Sequence, residues 1–82
     1  MDNERYFIYG RISCPFCIAA INFCSASKKE YYFFDFEESA ENLAEVKEFY
    51  SSKTVPIVLS NNVDSGLTRL VGGYTDLLDH IK

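Results

Sequence analysis

Cys14 and Cys17 are separated by Pro15 and Phe16, and a third cysteine, Cys24, follows one helical stripe later. With two residues between them, and the second inside a first helical turn, two sulfurs come within disulfide reach. Such a pair reads as redox chemistry or as half a metal site. At a helix N-terminus the free N–H groups and the helix dipole favour a thiolate, so the Cys14 thiol is expected to titrate below a free thiol. Arg11, three residues upstream, adds a positive charge, and Cys17 becomes the resolving thiol. A zinc site wants four N or S ligands. Only Cys24 and His80 remain to complete one, and Cys24 shares the stripe of Cys17, so no metal is expected.

Two more segments could do chemistry. Thr54-Val55-Pro56 is at its plainest a turn before a strand, with proline at the strand's first position. Val71-Gly72-Gly73-Tyr74-Thr75-Asp76 is at its plainest a strand end followed by a helix cap. It also suits an anion, because glycine admits close backbone approach and helix N–H groups receive a carboxylate.

The elements that position these segments follow from apolar periodicity. Arg5 to Tyr9 is apolar at both parities, as in a strand buried on both faces, and Gly10 ends it. Pro15 suits the first position of a helix. Cys17, Ala20, Ile21 and Cys24 then form its apolar stripe, which Ser25 to Lys29 terminates. Tyr31 to Phe36 is an aromatic strand expected in the core. Ser39 is the expected N-cap of a second helix through Leu43, Val46 and Tyr50. Ile57 to Leu59 is a third strand, Asn61-Asn62 and Ser65-Gly66 are turn material, and Leu67 to Val71 is a fourth strand. Thr75 is the expected cap of a last helix through Ile81. The order β-α-β-α-β-β-α contains one right-handed βαβ unit with parallel strands, followed by an antiparallel hairpin.

Composition narrows the function. A chain of 82 residues is read as one domain, 1–82, with an ordinary globular mix of 48% hydrophobic and 24% charged residues. The net charge of −4 argues against nucleic-acid binding. From Glu30 to Glu48 there are seven acids and one base, and the acids from Glu37 on are expected to form a solvated helix face. No apolar run approaches the roughly 18 residues of a membrane span, and the polar start does not read as a signal peptide. A cytoplasmic protein with no membrane partner is expected. Cys24 is expected to be a small buried hydrophobe and His80 to be exposed.

Taken together, Tyr9-Gly10-Arg11-Ile12-Ser13-Cys14-Pro15-Phe16-Cys17, Thr54-Val55-Pro56 and Gly72-Gly73-Tyr74-Thr75-Asp76 resemble a glutaredoxin of the small dithiol kind, over nearly the whole chain from about Tyr6. The resemblance implies a thioredoxin-like fold, a four-stranded mixed sheet flanked by three helices. It implies a glutathione-disulfide oxidoreductase that reduces protein disulfides and protein–glutathione mixed disulfides, with Cys14 as nucleophile and Cys17 as resolving thiol. Glutathione would be a co-substrate, with no tightly bound cofactor. By the same resemblance, Val55 before a cis-Pro56 would pair with the tripeptide backbone, and Phe16 would wall the site beside Thr54. Gly73, Tyr74, Thr75 and Asp76 would hold its γ-glutamyl end, Asp76 pairing with the ammonium. Arg11 and Lys53 would take its glycine carboxylate. The clients would be disulfide-containing or glutathionylated proteins, ribonucleotide reductase being a common one in the family, and the protein would act as a monomer.

Two other readings share the fold. A redoxin fed by thioredoxin reductase would lack the full glutathione groove. An iron–sulfur carrier bridged through Cys14 and glutathione usually has a small residue in place of Pro15. The chain also departs from the family pattern. The segment between Pro56 and Gly72 is about four residues longer than a compact glutaredoxin hairpin, and the last helix is short. Gly10 stands where a small hydroxyl residue is common, with no consequence expected, and Ile57 replaces a frequent polar residue.

Overall fold

The computed structural model describes residues 3–81. Its elements are β1 (Glu4–Gly10), α1 (Pro15–Ala26), β2 (Glu30–Asp35), α2 (Ala40–Phe49), β3 (Ile57–Asn62), β4 (Thr68–Gly72) and α3 (Tyr74–Ile81). The sheet order is β2-β1-β3-β4, with β1 parallel to β2 and antiparallel to β3, and β3 antiparallel to β4. This is the thioredoxin-like arrangement expected of the β-α-β-α-β-β-α order.

Strand alternation divides the sheet into two unlike faces. Tyr6 and Ile8 of β1 and Val58 of β3 point to one face, where Ala20 and Cys24 of α1 and Leu77 of α3 close over them in the main core. Phe7 and Tyr9 alternate to the other face. There the Tyr9 ring stacks on Phe34 at 5.0 Å and lies 6.3 Å from Tyr50, at the end of α2.

Several expectations need correction. The aromatic run of β2 is not all core: Tyr31 and Phe33 pack against the main core, whereas Tyr32 and Phe34 are exposed. The physical reason is position, since β2 is an edge strand and α2 leaves its outer face open. Ser39 occupies the N-cap of α2 without a side-chain bond, and its carbonyl accepts the Leu43 N–H at 3.0 Å. Thr75 lies inside α3 rather than capping it. The carbonyl of Gly73 accepts the Leu77 N–H at 3.0 Å, and the Asp76 carboxylate accepts the Gly73 N–H at 2.9 Å, a reciprocal cap.

Asn61 and Asn62 are strand residues, so the hairpin turn runs later than the sequence suggests. The Asn62 side-chain oxygen accepts the N–H groups of Asp64 and Ser65, each at 3.0 Å, and Gly66 supplies the positive φ of 77°. The Asn3 amide reaches Asp64 at 2.7 Å and ties the turn to the start of β1. His80 is exposed, as expected, and also makes contacts. Its ring meets Tyr6 edge-on at 5.9 Å, and its Nε2 lies 3.5 Å from a Glu4 oxygen.

Candidate active site

The parallel pairing of β1 with β2 brings two strand ends together, and the dithiol loop starts there. Arg11 leaves β1, its carbonyl accepts the Cys14 N–H at 3.0 Å, and Cys14 becomes the N-cap of α1 with Pro15 in the first turn. The Cys14 carbonyl in turn accepts the N–H groups of Cys17 and Ile18, both at 3.1 Å. All three thiols are free.

The two active-site thiols have opposite electrostatics. Partial burial pushes the Cys14 thiol up, but the Cys17 backbone and thiol, the Phe16 backbone and the Arg11 charge outweigh it. The net pull is below the ordinary thiol value. The Cys14 sulfur makes no capping hydrogen bond of full geometry in the thiol form. The nearby N–H groups act as dipoles, ready for the thiolate. Cys17 is fully buried, and burial pushes its thiol up to about 12, the neighbouring Cys14 adding to the shift. At neutral pH, Cys14 is therefore the thiol poised to ionise and Cys17 stays protonated.

A groove of about 500 Å³ opens beside Cys14. The Cys14 sulfur lies 3.9 Å from the Val55 carbonyl, on the groove's edge, and the Val55–Pro56 peptide bond is cis. Phe16, Thr54, Val55, Pro56, Gly73, Tyr74, Thr75 and Asp76 all line this groove, so eight of the sequence-expected contact residues come together. The Phe16 ring stands 6.0 Å from Tyr74 and walls one end. One oxygen of Asp76 is committed to the Gly73 N–H. Gly72 has φ of 125°, and a Cβ there would lie 2.3 Å from the Asp76 carboxylate, so only glycine fits.

Two residues expected in the groove lie outside it. Lys53 is exposed in the preceding turn and is not part of the lining. Arg11 is turned the other way, with its guanidinium 3.1 Å from a Glu37 oxygen. Glu37 is not on the α2 face, where the charge run had placed it. It precedes the helix and accepts the Ser13 N–H at 3.0 Å, while Asp35 accepts the N–H of Ile12 at 3.1 Å and of Glu37 at 2.9 Å. The signal for this contact lay in the parallel βαβ unit, whose two strand ends must be neighbours. Gly72 of the last motif lines the groove as well, and Tyr50, Ser51, Ser52, Ile57 and Leu70 complete it and carry no motif that would reveal them.

Gly10 also proves consequential. A Cβ there would stand 2.3 Å from the Cys17 sulfur, so β1 must end in glycine for the buried thiol to fit beneath the loop. Cys24 is fully buried, and burial pushes its thiol up to about 11, as suits a small core residue. Among the described residues, no group of three or more His, Cys, Asp or Glu side chains could hold a metal ion, and no helix is long and apolar enough to cross a membrane.

A family model described as Glutaredoxin matches residues 7–63, which include the dithiol and the Thr54–Pro56 segment but not Gly72–Asp76. No curated protein sequence matches the chain. Among solved structures, the glutaredoxin of Brucella melitensis is 28% identical, with a TM-score of 0.69 over 92% of this chain and 75% of that one. The dithiolic glutaredoxin 2-C-Grx1 of Trypanosoma brucei brucei is 23% identical, with a TM-score of 0.70 over 90% and 73%. The thioredoxin-like protein BC3987 is 23% identical, with a TM-score of 0.64 over 94% and 99%. The latter two speak for the fold alone.

Proposed function

This chain belongs to the glutaredoxin family of thiol oxidoreductases, and from that premise we propose that it is a glutathione-dependent thiol-disulfide oxidoreductase acting through Cys14 and Cys17. The observation that carries the reading is the placement of the ionisable Cys14 sulfur 3.9 Å from the Val55 carbonyl, at the edge of a groove that ends in Asp76.

The Cys14 thiolate attacks the glutathione sulfur of a protein–glutathione mixed disulfide. The protein leaves as a thiolate and takes a proton, and glutathione stays on Cys14. A second glutathione thiolate attacks the sulfur of that bound glutathione, which gives glutathione disulfide and restores the Cys14 thiolate. With a protein disulfide, Cys14 forms a mixed disulfide with the client. Cys17 then attacks the Cys14 sulfur, its proton passing to the departing client thiolate, which releases the reduced client and leaves Cys14–Cys17 oxidised. Two glutathiones reduce that disulfide and leave as glutathione disulfide.

The groove suits the tripeptide. The backbone of Val55, on the groove wall, would pair with it as an added strand. Gly73, Tyr74 and Thr75 at the start of α3 would receive the γ-glutamyl carboxylate, and the Asp76 oxygen left over from the Gly73 bond would pair with its ammonium. Arg11 and Lys53 would have to turn inward to meet the glycine carboxylate. No tightly bound cofactor is proposed. The proposed clients are disulfide-containing or glutathionylated proteins, ribonucleotide reductase among them, met by a monomer in a reducing cytoplasm.

The outward positions of Arg11 and Lys53 favour one second reading, a redoxin of the same fold fed by thioredoxin reductase. The test is turnover of a glutathionylated peptide with glutathione and glutathione reductase as electron source. Rapid turnover supports the glutathione reading. No turnover with intact thiols, together with reduction by thioredoxin reductase, replaces it with the second.

A further inference from the structure

The loop that carries the nucleophile is held by two carboxylates from the neighbouring strand end. Asp35 accepts the Ile12 N–H and the Glu37 N–H through the same oxygen, at 3.1 and 2.9 Å. Glu37 uses its two oxygens separately: Oε1 accepts the Ser13 N–H at 3.0 Å and Oε2 pairs with Arg11 Nη2 at 3.1 Å. The Arg11 side chain, about half exposed, is thus held on the Glu37 side of the loop and does not line the groove. Arg11 is also a charge that favours the Cys14 thiolate. One carboxylate therefore competes for the cation that serves the reacting sulfur.

We propose that Glu37 is a positioning residue that fixes the dithiol loop through Ser13 and diverts Arg11 from the reaction site, so that an anionic reactant at Cys14 must win Arg11 from Glu37. The inference deepens the glutathione reading, since glutathione is an anionic reactant of that class. Glu37 is itself held ionised: hydrogen bonds from Ser13 come first among the influences that lower its pKa, with Arg11 next. An exposed pair of this kind is weak enough to exchange partners during turnover.

The test avoids glutathione, so that it stands even if that reading fails. Cys14 is alkylated with iodoacetate, which is anionic, and with iodoacetamide, which is neutral, and the ratio of the two rates is measured. The ratio reads the charge presented to an approaching anion, and a merely structural role for Glu37 would not move it. Glu37→Gln keeps an oxygen for the Ser13 N–H and removes the charge that holds Arg11. The ratio is expected to rise about two- to five-fold, the span of an exposed ion pair. In the Arg11→Gln background the same substitution is expected to change the ratio far less, because there is no cation to release. Equal ratios in wild type and Glu37→Gln would overturn the proposal. So would an equal rise in both backgrounds, which would mean that Glu37 acts only as a nearby negative charge. In the glutathione assay, Glu37→Gln is then expected to lower KM for the glutathionylated peptide with little change in kcat. A higher alkylation ratio with no peptide turnover would leave the proposal standing and count against the glutathione reading alone.

Discussion

The lip and the floor of the dithiol site differ more than their separation of three residues suggests. At the lip, Cys14 caps a helix, meets N–H dipoles and stands beside the Val55 carbonyl at the edge of a groove. On the floor, Cys17 is sealed between the first turn of α1 and the end of β1, where no water reaches it. One helix end thus supplies both a readily ionised nucleophile and a protonated reserve. The turn of the chain, rather than any difference in residue type, decides which cysteine is which. Cys24, one stripe further on, shows what burial alone does to the same side chain.

The largest expected effect is a split in reactivity. Cys14 titrates below the ordinary thiol value of 9.0 and Cys17 near 12. The gap is at least three units, roughly a thousandfold in thiolate, and the greater nucleophilicity of the more basic sulfur recovers only part of it. At least about fiftyfold faster alkylation of Cys14 is expected from ionisation and nucleophilicity together. Peptide mapping after brief iodoacetamide treatment at neutral pH should find the label on Cys14. Equal labelling of Cys17 would erase the distinction between lip and floor.

A smaller effect sharpens it. Gly10→Ala places a methyl group 2.3 Å from the sulfur of the fully buried Cys17. A loss of about 1–3 kcal/mol in denaturant unfolding is expected for overpacking of this kind. The Cys14 alkylation rate should change little, because the lip does not rest on that contact. A neutral effect on stability would mean that the floor is looser than the geometry shows.

How far the sequence reveals these regions differs with the kind of signal. Element order and sheet direction were legible, because apolar periodicity and the short βαβ spacing leave few topologies. The groove was largely legible too, since three motifs supplied nine of its residues. The part that was not legible depends on side-chain direction. Arg11 is three residues from Cys14 in either reading, but nothing in the local sequence says whether it faces the sulfur or Glu37. Charge runs mislead in the same way: Glu37 belongs to a stretch of acids that reads as a helix face, yet it sits before α2 and grips the loop. Gly10 appeared inconsequential because its constraint comes from a sulfur seven residues away. The outer half of β2 looked like core because strand composition does not reveal which strand lies at the sheet edge.

A further effect concerns stability against pH. Burial raises Cys24 to about 11 and Cys17 to about 12 in the folded chain, from the ordinary 9.0. A raised folded pKa of an acid means that the unfolded chain releases its proton first. The stabilisation is fully present below pH 9 and is lost as pH rises from 9 toward 11 and 12. Thermal unfolding should therefore show a midpoint that falls above pH 9, with a shallower fall in Cys24→Ala. A midpoint that rises through this range would contradict the burial of both thiols.

The most direct test of the central claim follows the glutathione itself. The Cys17→Ser variant is incubated with glutathione disulfide and its intact mass and peptides are analysed. One glutathione per chain, on Cys14, is expected, and it should leave on addition of fresh glutathione. A chain that stays unmodified, or one that carries glutathione on Cys24 with Cys14 free, would contradict the assignment of Cys14 as the glutathione-bearing nucleophile.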